Sequence, residues 1–251
     1  MGILIGLLLI IIGIAIAVFV GRRAQKHAQA VAEVPLYDAT QVAQHGQDAN
    51  GMRISVAGTA QSRPAGPLMA PISQRECAWY RLTISERVRE TSRNSEGERT
   101  TSESERVVSQ ETSPDLLVLR DATGDVRVDP LDADVDNPLE TFDRLESAPA
   151  SNTQISFGSL NFSLGSNDGV IGIRKREEII PVGSALYVLG GAYAREDGGL
   201  VAKPRQGPFI ISTRSAQEVA TSARRRVWLW IGIGAVVAFI GIAVFIGGLF
   251  G

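Results

Sequence analysis

The stretch I-S-V-A-G-T-A, Ile54 to Ala60, sets small and β-branched residues in alternation and places a glycine, Gly58, inside the run. A near copy, L-Y-V-L-G-G-A, occupies Leu186 to Ala192 with Gly190 in the matching place. Period-two patterning of this kind describes a strand, and a glycine within a strand marks a bend or a close backbone approach. The pair therefore reads as two equivalent strands that each turn at a glycine, as barrel corners require. The match is too short to establish a duplication.

Working outward, strand signals dominate the middle of the chain. Ala78 to Arg87 brings Trp79, Tyr80, Leu82 and Ile84, while Leu116 to Leu119 and Val126 to Val128 flank the turn Ala122, Thr123, Gly124 as a hairpin. Val170 to Ile180, Ala185 to Ala194, Leu200 to Ala202 and Phe209 to Ile211 follow. Asp38, Thr40 and Gln41 to Gln47 read as a short capped helix, and Ser215 with Glu218 forms a capping-box signature for a helix running to Arg226. Ser92 to Ser104 has no apolar residue and reads as the exposed tip of a long hairpin joining the Tyr80 strand to one around Val107 and Val108. Asp129 to Leu145 is acidic and broken by proline, and the pattern leaves residues 130–169 without an assigned fold. Short strands at this spacing predict a β-rich (α+β) domain over 34–213, a sandwich or partly closed barrel, followed by a juxtamembrane helix at 214–226.

Both ends of the chain are apolar. Residues 2–20 and 227–250 carry no charged side chain, and 19 residues of helix extend about 28 Å, close to a bilayer's hydrocarbon thickness. They read as two transmembrane helices flanking the β-rich domain. Arg22, Arg23 and Lys26 follow the first run and Arg224, Arg225 and Arg226 precede the second, which predicts a multi-pass cell-membrane protein with a cytoplasmic central domain. The same arginines suit anionic lipid headgroups.

Composition narrows the chemistry. The 251 residues include one Cys and two His, too few for a disulfide or a zinc site built mainly from Cys and His. The segment 34–213 holds 18 Lys and Arg against 25 Asp and Glu, and an acidic domain of net charge −7 does not suit nucleic acid. Cys77 precedes an apolar strand and neither His27 nor His45 stands where it would pair with it, so packing is the favoured role for the thiol. Asp129, Asp132, Asp134 and Asp136 alternate like a calcium ladder but lack the glycine and the closing glutamate of an EF-hand loop. No glycine-rich phosphate loop is present. The sequence thus predicts no catalytic residue, no cofactor and no metal. Its candidate partner contacts are Asn94, Glu96 and Arg99 in the polar tract and Arg174, Arg176, Glu177 and Glu178 in a charged strand, whose simplest reading is a solvated sheet edge.

Three segments together carry a resemblance: P-I-S-Q-R-E-C-A-W-Y-R from Pro71 to Arg81, V-R-V-D-P from Val126 to Pro130, and R-K-R-E-E-I-I-P-V-G-S-A-L-Y-V-L-G-G-A from Arg174 to Ala192. The chain resembles the GIDE domain, also called the beside-a-membrane domain, which lies between two membrane helices in a mitochondrial ubiquitin ligase and its bacterial relatives. In that ligase, transfer depends on a zinc-binding RING domain after the second span, and the single Cys and two His here match no RING ligand set. The resemblance therefore implies the part that senses or recruits substrates.

The leading expectation is a membrane-anchored, non-enzymatic module that binds a protein partner or organises a membrane assembly. A second is ubiquitin-like transfer with a RING supplied by another polypeptide. A third is a β-barrel that binds a lipid or small molecule.

Overall fold

The computed structural model describes residues 34–48, 50–93, 98–147, 153–157, 160–164, 169–195 and 198–219, together with the single positions 221, 232, 236, 241 and 242. In chain order the elements are β1 (Leu36–Tyr37), α1 (Ala39–Asp48), β2 (Met52–Gln61), β3 (Leu68–Met69), β4 (Glu76–Arg93), β5 (Arg99–Thr112), β6 (Leu117–Arg120), β7 (Asp125–Val128), β8 (Asp134–Asp136), β9 (Leu139–Ser147), β10 (Thr153–Phe157), β11 (Leu160–Leu164), β12 (Val170–Pro181), β13 (Ala185–Arg195), β14 (Gly198–Ala202) and β15 (Ile210–Ser212).

Five strands close a barrel. Around the ring, β2 pairs with β6, β6 with β7, β7 with β14, β14 with β13, and β13 returns to β2. Every pairing is antiparallel except β7 with β14, which is parallel. This is the Greek-key order of the five-stranded OB-fold barrel. The two quoted near-copies are β2 and β13, and they lie against each other, with Gly58 opposite Leu186 and Gly190 opposite Ile54. A side chain at Gly58 would meet the Arg120 carbonyl oxygen at 2.4 Å, and one at Gly190 would meet Val201 Cγ1 at 2.6 Å. Both glycines thus mark places where the ring's strands crowd together.

The barrel interior is filled by Ile54, Val56, Leu119, Val126, Val128, Val188 and Val201, all 0–1% exposed. The interior of the five-stranded ring is thus filled by side chains.

Helix α1 seals one side. Asp38 caps it through Gln41 N–H at 2.8 Å, and Gln41 Oε1 accepts from Asp38 N–H at 3.0 Å, a reciprocal box. Asp121, in the β6–β7 turn, accepts from Ala39 N–H at 2.7 Å as well as from Thr123 and Gly124 within its own turn. The turn and the helix start are therefore one unit. Although burial works against its charge, these hydrogen bonds hold the Asp121 carboxyl below the usual carboxylate range.

The two long excursions between barrel strands build a second, open sheet, ordered β9-β12-β4, with β3 and β5 sharing the far edge of β4. Its base is tied to the barrel by Trp79 and Ile180, which face each other across β4 and β12 and belong to the barrel core. β10 and β11 form a separate hairpin. After β15, Ser215 and Glu218 make the capping box, with Ser215 N–H to Glu218 Oε2 at 2.8 Å and Glu218 N–H to Ser215 Oγ at 3.3 Å. The short helix it starts sets Val219 against Tyr187, Leu189 and Ile210 on the outer barrel wall.

Several expectations are corrected. No helix among the described residues is long and apolar enough to cross a membrane. The expected spans 2–20 and nearly all of 227–250, with Arg22, Arg23, Arg224, Arg225 and Arg226, lie outside the described residues. The helix-flanked α+β class and the multi-pass cell-membrane localisation give way to a predominantly β protein in which a fully closed barrel carries an open sheet. The polar tract does lie at the exposed far end of a long hairpin, formed by β4 and β5, but strand pairing reaches further into it than expected, to Arg93 opposite Arg99. The charged segment 174–178 lies in β12, a central strand between β4 and β9, so it is no sheet edge.

Candidate functional site

Alternation along β4 and β12 decides which charges share a face. Arg174, Arg176 and Glu178 project to one side of β12, where the register sets them opposite Ser85, Thr83 and Arg81 of β4. On the other flank Arg174 stands opposite Leu145 and Arg176 opposite Asp143 of β9. Ser85 is small and buried, so Arg174 reaches over it to a third strand. Its guanidinium donates to both Asp143 oxygens, at 2.7 and 2.5 Å, and to Glu105 Oε2 of β5 at 3.2 Å. Ser85 Oγ donates to the same Glu105.

The pattern repeats along the sheet. Glu103 takes Arg87 and Arg89, each at 2.7 Å, Arg176 lies 3.3 Å from Asp143 and 3.4 Å from Glu140, and Arg81 meets Glu178 at 2.7 Å with its guanidinium 5.5 Å from the Trp79 ring. The result is an arginine–carboxylate lattice across four strands. A groove of about 550 Å³ runs through it, lined by Arg87, Glu103, Glu105, Asp143, Leu145 and Arg174.

Its electrostatics follow from these contacts. Hydrogen bonds from Arg174 hold the Asp143 carboxyl below its ordinary range against the effect of burial, with Arg176 adding to them. Glu105 is lowered chiefly by Ser85 and then Arg174, and Glu103 chiefly by Arg89. Arg174 is itself raised by Asp143 and Glu105. Every shift favours the charged form, so these groups are fixed ions at neutral pH and none is poised to exchange a proton. The lattice is suited to recognition by fixed charge and shape. As a stabiliser it is modest, because partly exposed pairs contribute about 0–1 kcal/mol each.

The opposite face is dominated by Leu82, Ile84, Ile173 and Ile179, and it contains Glu177, which is fully buried. Glu177 Oε2 accepts from Ile72 N–H at 2.5 Å, Oε1 accepts from Ser73 N–H at 3.1 Å, and Thr141 Oγ1 donates to Oε1 at 2.6 Å. Burial pushes against its charge, but these hydrogen bonds prevail and the carboxyl sits below its ordinary range. Two of the quoted motifs thus meet at one carboxylate. The P-I-S turn leaves two backbone N–H groups without a partner of its own, and the R-K-R-E-E strand supplies the acceptor.

Of the predicted contacts, Arg174, Arg176 and Glu178 share the lattice, and Arg99 stands at the start of β5 opposite Arg93. Glu177 is corrected: parity turns it away from the lattice into the interior. Asn94 and Glu96 lie outside the described residues. The sequence reading missed Asp143, Glu103 and Glu105, whose spacing in polar strands carries no apolar alternation to reveal a face.

The remaining candidates have separate employment. Asp129 accepts from Leu131 N–H at 3.0 Å, Asp132 pairs with Lys203 at 2.9 Å, and Asp136 accepts from Ser212 Oγ at 2.9 Å. Among the described residues no three or more His, Cys, Asp and Glu gather to hold a metal ion. His45 packs against Tyr37 with ring centroids 4.5 Å apart, and His27 lies outside the described residues. Cys77 is fully buried, and burial, with Glu177 and Glu76 adding to it, pushes the thiol up to about 11. In the folded protein it is therefore expected to resist iodoacetamide at pH 8 and to be alkylated quickly once denaturant is added; mass spectrometry of the quenched mixtures checks this.

A family model described as an E3 ubiquitin ligase, GIDE, matches residues 85–245, more than half of the chain. The chain belongs to the GIDE family. No curated protein and no solved structure gives a significant match. The matched region begins within β4, so the GIDE match takes in most of the lattice. Barrel closure also requires β2, which precedes it.

Proposed function

We propose that this GIDE protein is a non-catalytic protein-interaction module whose contact face is the arginine–carboxylate lattice of the open sheet. The observation that carries the reading is the lattice itself: ten charged side chains on one sheet face, joined across strands as ion pairs, around a groove that also exposes Leu145. Fixed ions arranged on a rigid sheet select a partner by charge complementarity and exclude others by repulsion. A photocrosslinking residue at Leu145 is expected to trap one discrete protein in cells of the source organism. The same residue at the exposed Leu131 should not, and Arg174→Glu should abolish the adduct. Equal trapping from both positions, or trapping indifferent to Arg174→Glu, would refute the assignment of this face.

The family description favours a second reading, in which this face presents substrate to a RING supplied by a separate polypeptide. Reconstitution with activating and conjugating enzymes and such a RING protein should then give more conjugate with the chain than without it. Equal yields would remove this reading.

A further inference from the structure

Among the described residues, strand β5 is hydrogen-bonded to β4 on one side only, and β11 approaches it without pairing. Its 14 residues contain no proline and no lysine, two residue types that blunt an edge strand, and its only protection of that kind lies in inward-turned charges and one bulge. Its own charges are turned inward to the sheet: Glu103 holds Arg87 and Arg89, Glu105 holds Arg174, and Arg106 holds the buried Glu86 at 2.6 Å. Two features are left outward. Val107 and Val108 are 60% and 38% exposed, at the bulge where Val108 is the extra residue. At the other end Arg99 stands directly opposite Arg93. Both are exposed, and neither forms an ion pair with a described residue. Like charges directly opposite across a ladder are unfavourable and are relieved by an added anionic group.

We infer that the free edge of β5 takes an extended segment of a partner protein by strand addition, acidic where it passes Arg93 and Arg99 and apolar where it passes Val107 and Val108. The inference deepens the interaction-module reading and rests on it. Backbone hydrogen bonds supply affinity in this mode and the flanking side chains supply selectivity. The two markers are separated by a span of about 27 Å along an extended strand, which a segment of about ten residues covers. A second copy of this chain fits poorly. Antiparallel self-pairing would bring the arginines to the valines, and parallel self-pairing would stack arginine on arginine.

The test uses the full chain and two synthetic peptides of about ten residues, each with three Asp at one end and alternating Val and Thr at the other, one for each strand direction. Fluorescence anisotropy should show saturable binding of one of them. Methylating alternate backbone nitrogens of that peptide should abolish binding, since the ladder donors are removed. The double substitution Arg93→Glu with Arg99→Glu should weaken binding about tenfold and should favour a peptide with Lys in place of Asp. Failure of both peptides to bind, or binding indifferent to N-methylation or to the charge reversal, overturns the inference. If the peptides fail while the Leu145 crosslink persists and depends on Arg174, strand addition is wrong and the lattice reading stands. If both fail, the lattice reading falls as well.

Discussion

Replacing Glu177 with glutamine is expected to lower the free energy of unfolding by about 3 kcal/mol at pH 7. Hydrogen bonds to a buried charged acceptor contribute about 1.5–3 kcal/mol each, and a donor left facing another donor costs a comparable amount. Glutamine keeps one oxygen but turns an amide NH₂ toward Ile72 N–H, Ser73 N–H or the Thr141 hydroxyl, which now converge on the carboxylate. No cation partner is needed, because the P-I-S turn supplies its charge-stabilising dipoles. The sign of the pH dependence follows. The folded carboxyl titrates below its unfolded value of about 4.3, so its contribution is complete above that value and is lost as pH falls through the folded one. The difference between the native chain and Glu177→Gln, measured by urea unfolding, should therefore be largest near neutrality and shrink at about pH 3. An equal difference at both pH values would show that the carboxylate's charge does not contribute.

Gly46→Ala should cost about 2 kcal/mol, although the same change in an exposed helix interior normally stabilises by nearly 1 kcal/mol. At Gly46 a Cβ would lie 2.4 Å from the Tyr193 carbonyl carbon, 2.5 Å from its oxygen and 2.7 Å from Ala194 nitrogen. All three are backbone atoms of β13, so no rotamer change relieves the clash and the helix must lift from the barrel. Gln44→Ala, at an exposed position of the same helix, is the control and should be near neutral. Thermal unfolding of the pair decides the matter: a Gly46→Ala variant as stable as the control would mean that α1 is not seated on β13 as described.

These two sites also show what the sequence could reveal. β2 and β13 were legible because each is a short run of apolar and small residues interrupted by a glycine, although β13 is buried on both faces from Leu186 to Ala192, and the β6–β7 hairpin because turn residues separate two apolar runs. Gly58 and Gly190 were legible as points of crowding for the same reason. The R-K-R-E-E segment defeated such reading because both faces of β12 carry charge. Only the partners tell them apart: Asp143 and Glu105 on one side, the backbone of a remote turn on the other. Backbone N–H groups have no letter in the sequence. β5 and β9 are edge strands with little burial on either face, so they resembled loop and tip. Ring closure through the parallel pairing of β7 with β14 joins segments that no local pattern links.

That closure bears on how the molecule is made. Thr59 must wait for Ala185, and Val128 for Val201, before the ring exists. At synthesis rates of about 5–20 residues per second, β2 and the β6–β7 hairpin spend several seconds on the ribosome with their apolar sides uncovered. Pairings so distant along the chain also form slowly once available. Nascent chains arrested before β13 should therefore be bound by holdase chaperones, and those extended past β14 released.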